Sequence, residues 1–384
     1  EKEPIAELAR IYKEVNADES LREAARSELV KLQQGDEENR RIWQRMIELS
    51  QQEFDQVYRR LDVQFDETLG ESFYNSYLGE VVEGLLAQQI AEESEGAIVV
   101  RFPDDKQLDD KPAIVRKRDG AANYTTTDLA TLRYRLEEWS PDRIIYVTDG
   151  RQQLHFQQLF KTFRLWSQAT DVELQHVWFG SILGSDGKPF KTRSGETIGL
   201  ADLLDEAEQR AYAVVAEKNP NLSEEERLRI AEVVGLGALK YSDLSNNRQS
   251  DYIFDWDKML SLHGNTAPYL QYAYTRVKSI FRKCGEPDLN TIRIILEKEE
   301  ELLLAKHLMN FGHTLQMVAE DSRPNYLCNY LFELAGYFSR FYESCPVIKA
   351  EETERASRLG LCEVTARVLR EGLSALGIEV TEVM

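Results

Sequence analysis

Arg143-Ile144-Ile145-Tyr146-Val147-Thr148-Asp149-Gly150 decides the fold class. An apolar, β-branched run that ends in Thr-Asp-Gly reads as a strand stopping at a turn. Before it lies a helical stretch, Leu129 to Trp139, which stops at Ser140-Pro141. After it a helix starts near Arg151, and a second strand-like run follows at Val177-Trp178-Phe179-Gly180-Ser181-Ile182-Leu183. Strand, helix, strand in this order is a βαβ unit, hence a parallel sheet in an α/β domain. Such sheets bind ligands at the carboxyl ends of their strands, which places Asp149 to Gln153 and Phe179 to Lys191 at a site.

Outward from this unit the texture changes twice. Ala97-Ile98-Val99-Val100-Arg101-Phe102 and Ala113-Ile114-Val115-Arg116-Lys117 read as a strand pair around an acidic, proline-containing turn. Residues 1 to about 60 read as helical, with Ile5, Leu8, Ile11, Leu29, Leu32, Ile42 and Met46 near a 3.6-residue period. Beyond 200 the chain is helical again. Leu200, Leu203, Leu204, Ala207, Ala211, Val214 and Val215 form one stripe closed by Asn219-Pro220, and Ser223 with Glu226 is a capping box. Gly264 marks the break before a last all-helical unit. The expected division is 1–200, helical to 60 and α/β from 61, then a helical connecting region 201–262, then an all-helical domain 263–384.

A chain of 384 residues is long enough for two or three domains. No apolar run approaches the ~20 residues of a membrane helix, and the polar opening Glu1-Lys2-Glu3-Pro4 is unlike a secretory signal. Cys284, Cys328, Cys345 and Cys362 fit no zinc spacing and read as reduced core thiols of a cytoplasmic protein. A net charge of −20 argues against a general nucleic-acid coat but leaves room for one basic face. Nothing in the sequence demands more than a monomer.

Five features can carry chemistry, each with a plainer reading beside it. Gly184-Ser185-Asp186-Gly187-Lys188-Pro189-Phe190-Lys191-Thr192-Arg193 follows a strand and can clamp a triphosphate through Lys188 and Lys191; it can equally be an exposed basic turn. Asp128 can pair bidentately with a guanidinium, with Tyr124 one turn earlier as a wall; Thr125 and Asp128 also have capping-box spacing. Gln152 can hydrogen-bond the polar groups of an amino acid, or lie idle on the surface. His155 is a packing residue unless a ligand needs it. Tyr269, Tyr272 and Tyr274 with Arg276, Lys278, Arg282 and Lys283 offer rings for bases and cations for phosphates, or core plus solvated charge.

Taken in order, these segments resemble the arginyl-tRNA synthetases, a class I aminoacyl-tRNA synthetase family. The matching stretches run along the whole chain. They include Val30 to Glu37, Gly70-Glu71-Ser72, Tyr124 to Asp128, Gly187 to Arg193, Ala201 to Ala207, Lys240 to Ser245, Asp251-Tyr252-Ile253-Phe254-Asp255-Trp256-Asp257, Asn265 to Tyr269 and Leu376 to Met384. The resemblance implies a Rossmann-like class I catalytic part followed by an all-helical anticodon-binding domain. It implies arginine, ATP and tRNA-Arg as partners, with Mg²⁺ carried on ATP and no metal held by the protein. Tyr124, Asp128 and Gln152 match the arginine pocket. Lys188 to Thr192 stands where other class I enzymes have KMSKS, with Lys191 on the ATP phosphates. His155, Phe179 and Gly180 fall beside the adenosine. Tyr269, Tyr272, Arg276, Tyr342 and Met384 are the anticodon candidates, by position more than by motif.

The family places its HIGH motif and the first half of its nucleotide-binding fold upstream of the residue matching Glu1. Half of a parallel sheet leaves an unpaired edge and uncovered apolar faces. A non-catalytic tRNA-binding relative and another nucleotidyl-transfer enzyme are the rival readings. A sample verified to begin at Glu1 is expected to form no arginyl-adenylate, and detectable arginylation by such a sample would sink that expectation.

Overall fold

The computed structural model describes residues 4–167, 171–188, 199–288 and 292–384. It divides into two compact units, residues 1–66 with 199–203, and residues 67–198 with 204–384.

The first unit is helical, as its periodicity predicts. Helices α1 (Pro4–Ala17), α2 (Glu19–Gln33) and α3 (Glu37–Arg60) are set off by capping carboxylates. Asp18 accepts from Ser20 N and Leu21 N, and Asp36 from Asn39 N, so each caps orphan amides at a helix start. Several apolar positions that set the period, among them Ile11, Leu29, Ile42 and Met46, are exposed, and α3 buries no residue.

The second unit opens with a 3₁₀ turn (Glu71–Tyr77) and α4 (Leu78–Ala87). Strands β1 (Ala91–Ser94), β2 (Ala97–Val100) and β3 (Ala113–Arg116) form an antiparallel sheet in that order. The pair expected from the sequence is there; β1 is an addition. Its residues Ala91-Glu92-Glu93-Ser94 carry little β propensity, and it is held by pairing Ala91↔Val100 through Ser94↔Ala97.

The βαβ unit forms as read. Helix α5 (Tyr124–Trp139) precedes β4 (Arg143–Asp149), α6 (Gln153–Trp166) crosses over, and β5 (Glu173–Phe179) returns parallel, from Arg143↔Glu173 to Asp149↔Phe179. Leu129 and Leu132 of α5 and Phe156, Leu159 and Phe163 of α6 cover the face that carries Ile144. Residues of β4 that alternate with these, Ile145 and Val147, stand exposed on the other side.

The run Val177 to Leu183 is two strands, not one. It breaks at Gly180, whose N–H donates to Arg248 O at 2.8 Å. A Cβ there would lie 2.7 Å from Ser250 C, so the chain turns where no side chain fits. Strand β6 (Ile182–Leu183) then pairs in parallel with β7 (Tyr252–Ile253).

The rest is helical. Helices α7 (Leu200–Lys218) and α8 (Glu224–Leu244) are antiparallel neighbours joined by a short turn, and the Ser223–Glu226 capping box is present. A short α9 (Trp256–Met259) leads to α10 (Ala267–Cys284), α11 (Glu299–Met309), α12 (Phe311–Asp321), α13 (Asn325–Ser344) and α14 (Glu352–Ala375). In α13, Leu327, Cys328, Leu331, Leu334, Ala335, Phe338 and Phe341 recur three or four apart, and all are buried. They meet Leu270 and Val277 of α10, Leu304 of α11 and Cys362 and Leu369 of α14 in one core. Cys328, Cys345 and Cys362 are buried free thiols; burial pushes Cys328 up to about 12.

One guanidinium joins sheet and helices within this unit. Arg248 Nη1 donates to Trp178 O at 2.6 Å, and Nε donates to Ser322 O at 2.8 Å. Ser322 is the left-handed cap of α12.

Helices α7 and α8 approach closely at Gly235, where a Cβ would stand 2.7 Å from Ala207 O. Gly235→Ala gains up to about 1 kcal/mol of helix propensity but forces two backbones apart at about 1–3 kcal/mol. The variant is expected to unfold at lower urea than the wild type; an equal or higher midpoint would refute the close-packing account.

Candidate functional site

Helix α5 starts where β3 holds it. Its cap, Asn123, donates its side-chain amide to Ile114 O at 3.1 Å and its N–H to Val115 O at 3.1 Å. The buried Thr126 hydroxyl also donates to Val115 O. The capping box that the Thr125–Asp128 spacing allows does not form, because Thr125 is buried inside the first turn and the cap has no side-chain bond. Asp128 instead reaches α6. Its Oδ2 accepts from His155 Nε2 at 2.6 Å, with the two side chains 29% and 24% exposed. A carboxylate only accepts, so the proton is assigned to Nε2. Tyr124, one turn earlier, is 67% exposed and free of the core.

The carboxyl end of β4 lies next to this pair in the chain. Asp149 caps a 3₁₀ turn (Gly150–Gln152) by accepting from Arg151 N at 2.8 Å. The Arg151 side chain bonds the same carboxylate and holds its pKa below the usual range. Of the neighbouring glutamines, Gln153 turns inward and donates to Gly150 O at 3.0 Å. Gln152 is exposed.

Behind the pair is a ring stack. Phe156 meets His155 edge-on at 5.1 Å and stacks on His176 at 4.3 Å. His176 Nε2 lies 2.8 Å from Thr148 Oγ1, so β4, β5 and α6 are joined at one level. Burial lowers the His176 pKa, with further lowering from Arg248 and from His155.

At the end of β5, Phe179 is exposed and Gly180 is pinned against residues 248–251. Ser181 N donates to Asp251 Oδ1 at 2.6 Å. The loop beyond is folded on itself: Gly184 N donates to Lys188 O at 2.8 Å, and Lys188 N to Asp186 Oδ1 at 3.1 Å. This leaves the Lys188 residue exposed. Lys191 and Thr192 lie outside the described residues.

The helical candidates separate into groups. Arg276 lies between two rings, 5.5 Å from the Tyr272 centroid and 5.3 Å from that of Tyr342. Tyr272 and Met384 line one cavity of about 490 Å³, together with Val214, Val234, Leu262 and Pro268. Tyr269 stands apart, half-buried at 5.7 Å from Phe332. Tyr274 is core. Two of the four cations in this stretch are engaged elsewhere: Lys278 pairs with Glu286 and Glu382, and Arg282 donates to Glu382 O.

Sequence reasoning passed over Arg248, whose guanidinium fixes the strand end that carries Phe179 and Gly180. Its one signal is position, between the stretches Lys240 to Ser245 and Asp251 to Asp257. The Asp128–His155 contact was also missed, since 27 residues separate them. Among the described residues, no group of three or more His, Cys, Asp or Glu side chains is placed to hold a metal. No described helix is long and apolar enough to cross a membrane.

Comparison with known proteins places these features in context. A family model of the catalytic domain of class I tRNA synthetases (R) matches residues 1–256, and a model of the DALR anticodon binding domain matches residues 270–384. The arginine–tRNA ligase of Chromobacterium violaceum is 48% identical over 389 residues, covering 99% of this chain and 68% of that protein. The crystal structure of arginyl-tRNA synthetase from Plasmodium falciparum superposes with a TM-score of 0.83 at 30% identity, over 95% of this chain and 62% of that one. The Thermus thermophilus arginyl-tRNA synthetase gives 0.83 at 26% identity, over 98% and 69%.

The lowered pKa of His176 fixes the sign of a pH effect. The folded chain resists protonation there and the unfolded chain does not, so the contribution to stability is present above about 6.5 and lost as pH falls. Between about pH 7 and pH 5 the melting temperature of the wild type is expected to fall more steeply than that of His176→Gln. Parallel curves would remove His176 as the cause.

Proposed function

This chain belongs to the arginyl-tRNA synthetase family, and from that premise we propose that it supplies the arginine pocket, the phosphate-binding loop and the anticodon-reading helices of an arginine–tRNA ligase. The reaction joins the arginine carboxylate to the α-phosphorus of ATP with loss of pyrophosphate. The arginyl group then passes to the 3′ end of tRNA-Arg as AMP leaves.

The observation that carries the reading is the Asp128 carboxylate, held by His155 Nε2 at 2.6 Å on the βαβ unit. A guanidinium is planar and presents parallel N–H donors, and a carboxylate fixed in orientation matches it bidentately. His155 is thus a positioning residue for Asp128 as well as a neighbour of the adenosine. Tyr124 walls the side chain, and Gln152 meets the polar end of arginine from the strand-end turn. That turn also opens α6, whose first N–H groups favour negative charge. Lys188 and Lys191 neutralise the departing pyrophosphate, whose Mg²⁺ arrives with ATP. Arg276, Tyr272, Tyr342, Met384 and Tyr269 meet the anticodon, where the exposed Tyr272 ring and the cation sandwiched between it and Tyr342 suit unstacked bases. The domain limits proposed are 1–200, 201–262 and 263–384.

Arginine, and not lysine, is expected to raise the melting temperature of the chain. Asp128→Asn keeps the shape and loses the charge. It is expected to weaken arginine binding by about 2–3 kcal/mol, roughly thirty- to a hundred-and-fifty-fold in Kd. No arginine-dependent shift in the wild type, or an equal shift with lysine, would overturn the pocket.

A further inference from the structure

The last residues, 377–384, have almost no regular structure, yet they are tied along helices α8 and α10. The ties are side-chain donors on alternate backbone carbonyls. Lys240 Nζ donates to Gly377 O at 2.6 Å, Gln271 Nε2 to Glu379 O at 2.8 Å, and Thr275 Oγ1 to Thr381 O at 2.9 Å. Arg282 Nη1 adds a further tie outside this alternation, to Glu382 O at 2.9 Å. Alternate carbonyls point the same way in an extended chain, about 6.6 Å apart. Residues four apart on a helix are about 6 Å apart along its axis. Gln271 and Thr275 are four apart on α10, so the helix face serves as the partner strand that this segment lacks.

Gln271 is fully buried and touches three things at once. Its amide also donates to Val233 O of α8 at 3.2 Å, and it packs where Gly237 leaves room, since a Cβ there would lie 2.8 Å from Nε2. Ile378, between the first two tied carbonyls, is buried in the helical core. The segment therefore has one register. At its far end Met384 packs against Ala211 and Val215 and lines the cavity it shares with Tyr272.

We infer that Gln271 and Thr275 are specificity-determining positioning residues: they fix the register of residues 377–384 and so set the wall that Met384 gives to the cavity beside Tyr272. They touch no ligand themselves. The inference rests on the reading that this face meets the anticodon.

The test uses the whole chain. Affinity is measured for tRNA-Arg and for the same tRNA with its central anticodon base changed, at one stated salt concentration. Hydrogen exchange is followed in a peptide covering 374–384 and in α13. Gln271→Met removes the donor at similar volume, Thr275→Val removes the hydroxyl, and Thr275→Ser restores it. Gln271→Met and Thr275→Val are expected to speed exchange in 374–384 and leave α13 unchanged. Each is expected to shrink discrimination between the two tRNAs by about fivefold, with the salt dependence of binding retained. Thr275→Ser is expected to match the wild type. Wild-type discrimination in both Gln271→Met and Thr275→Val overturns the inference, as does faster exchange throughout the bundle, which marks a merely structural role. Equal binding of both tRNAs by the wild type overturns the anticodon reading itself, and the inference with it.

Discussion

The larger unit depends on one arginine. Arg248 donates to the carbonyl that ends β5 and to the carbonyl that caps α12, and its own carbonyl receives Gly180 N–H. Without its guanidinium, the carbonyls at a strand end and at a helix terminus lose their partners together, while the tight turn keeps its bond because that one goes to the residue 248 backbone. Hydrogen bonds to a charged group contribute about 1.5–3 kcal/mol each, and an unpaired carbonyl in a half-buried position costs a similar amount. Burial lowers the Arg248 pKa, with help from Arg323, which itself donates to Gln249. Lysine cannot replace it, since one ammonium does not reach two carbonyls with a planar fork. Arg143 adds a second link from the same sheet, to Ala319 O of α12.

The Asp128–His155 pair depends on a different constraint, the start of α5. Two side chains, Asn123 and Thr126, are bonded to β3 where an ordinary N-cap would bond its own helix. Once the first turn is fixed to the sheet, Asp128 falls one turn inside, facing α6. Packing of Leu129 and Leu132 against Phe156 and Leu159 then sets the distance between the helices. A helix end is local chemistry, but here it fixes a contact 27 residues away in sequence.

The architecture was legible because it follows from periodicity and punctuation. The strand 143–149, the crossover helix, the Ser223 capping box and the α13 stripe are all local signals. The failures have local causes too. The 177–183 run reads as one strand because its residues are uniformly β-formers; only the backbone of 248–251, brought in from far along the chain, splits it at Gly180. The Thr125–Asp128 spacing suggests a capping box because spacing cannot show that β3 has already taken the start of the helix. Tyr269 and Tyr274 look like Tyr272 in sequence, and only the helix's rotation against α13 separates core from surface. Lys278 and Arg282 look like phosphate contacts until residues 377–384 fold back over them.

That fold-back has an evolutionary side. Its alternate ties go to backbone carbonyls and ask little of the side chains there, although Gly377 holds a left-handed φ and the Glu379 and Glu382 carboxylates pair with Arg229 and Lys278. A single inserted or deleted residue between 377 and 384 is different. It turns the tied carbonyls beyond it away from the helices and moves Met384 by half a repeat. Selection on this segment therefore acts on its length as well as on the few positions whose side chains are engaged.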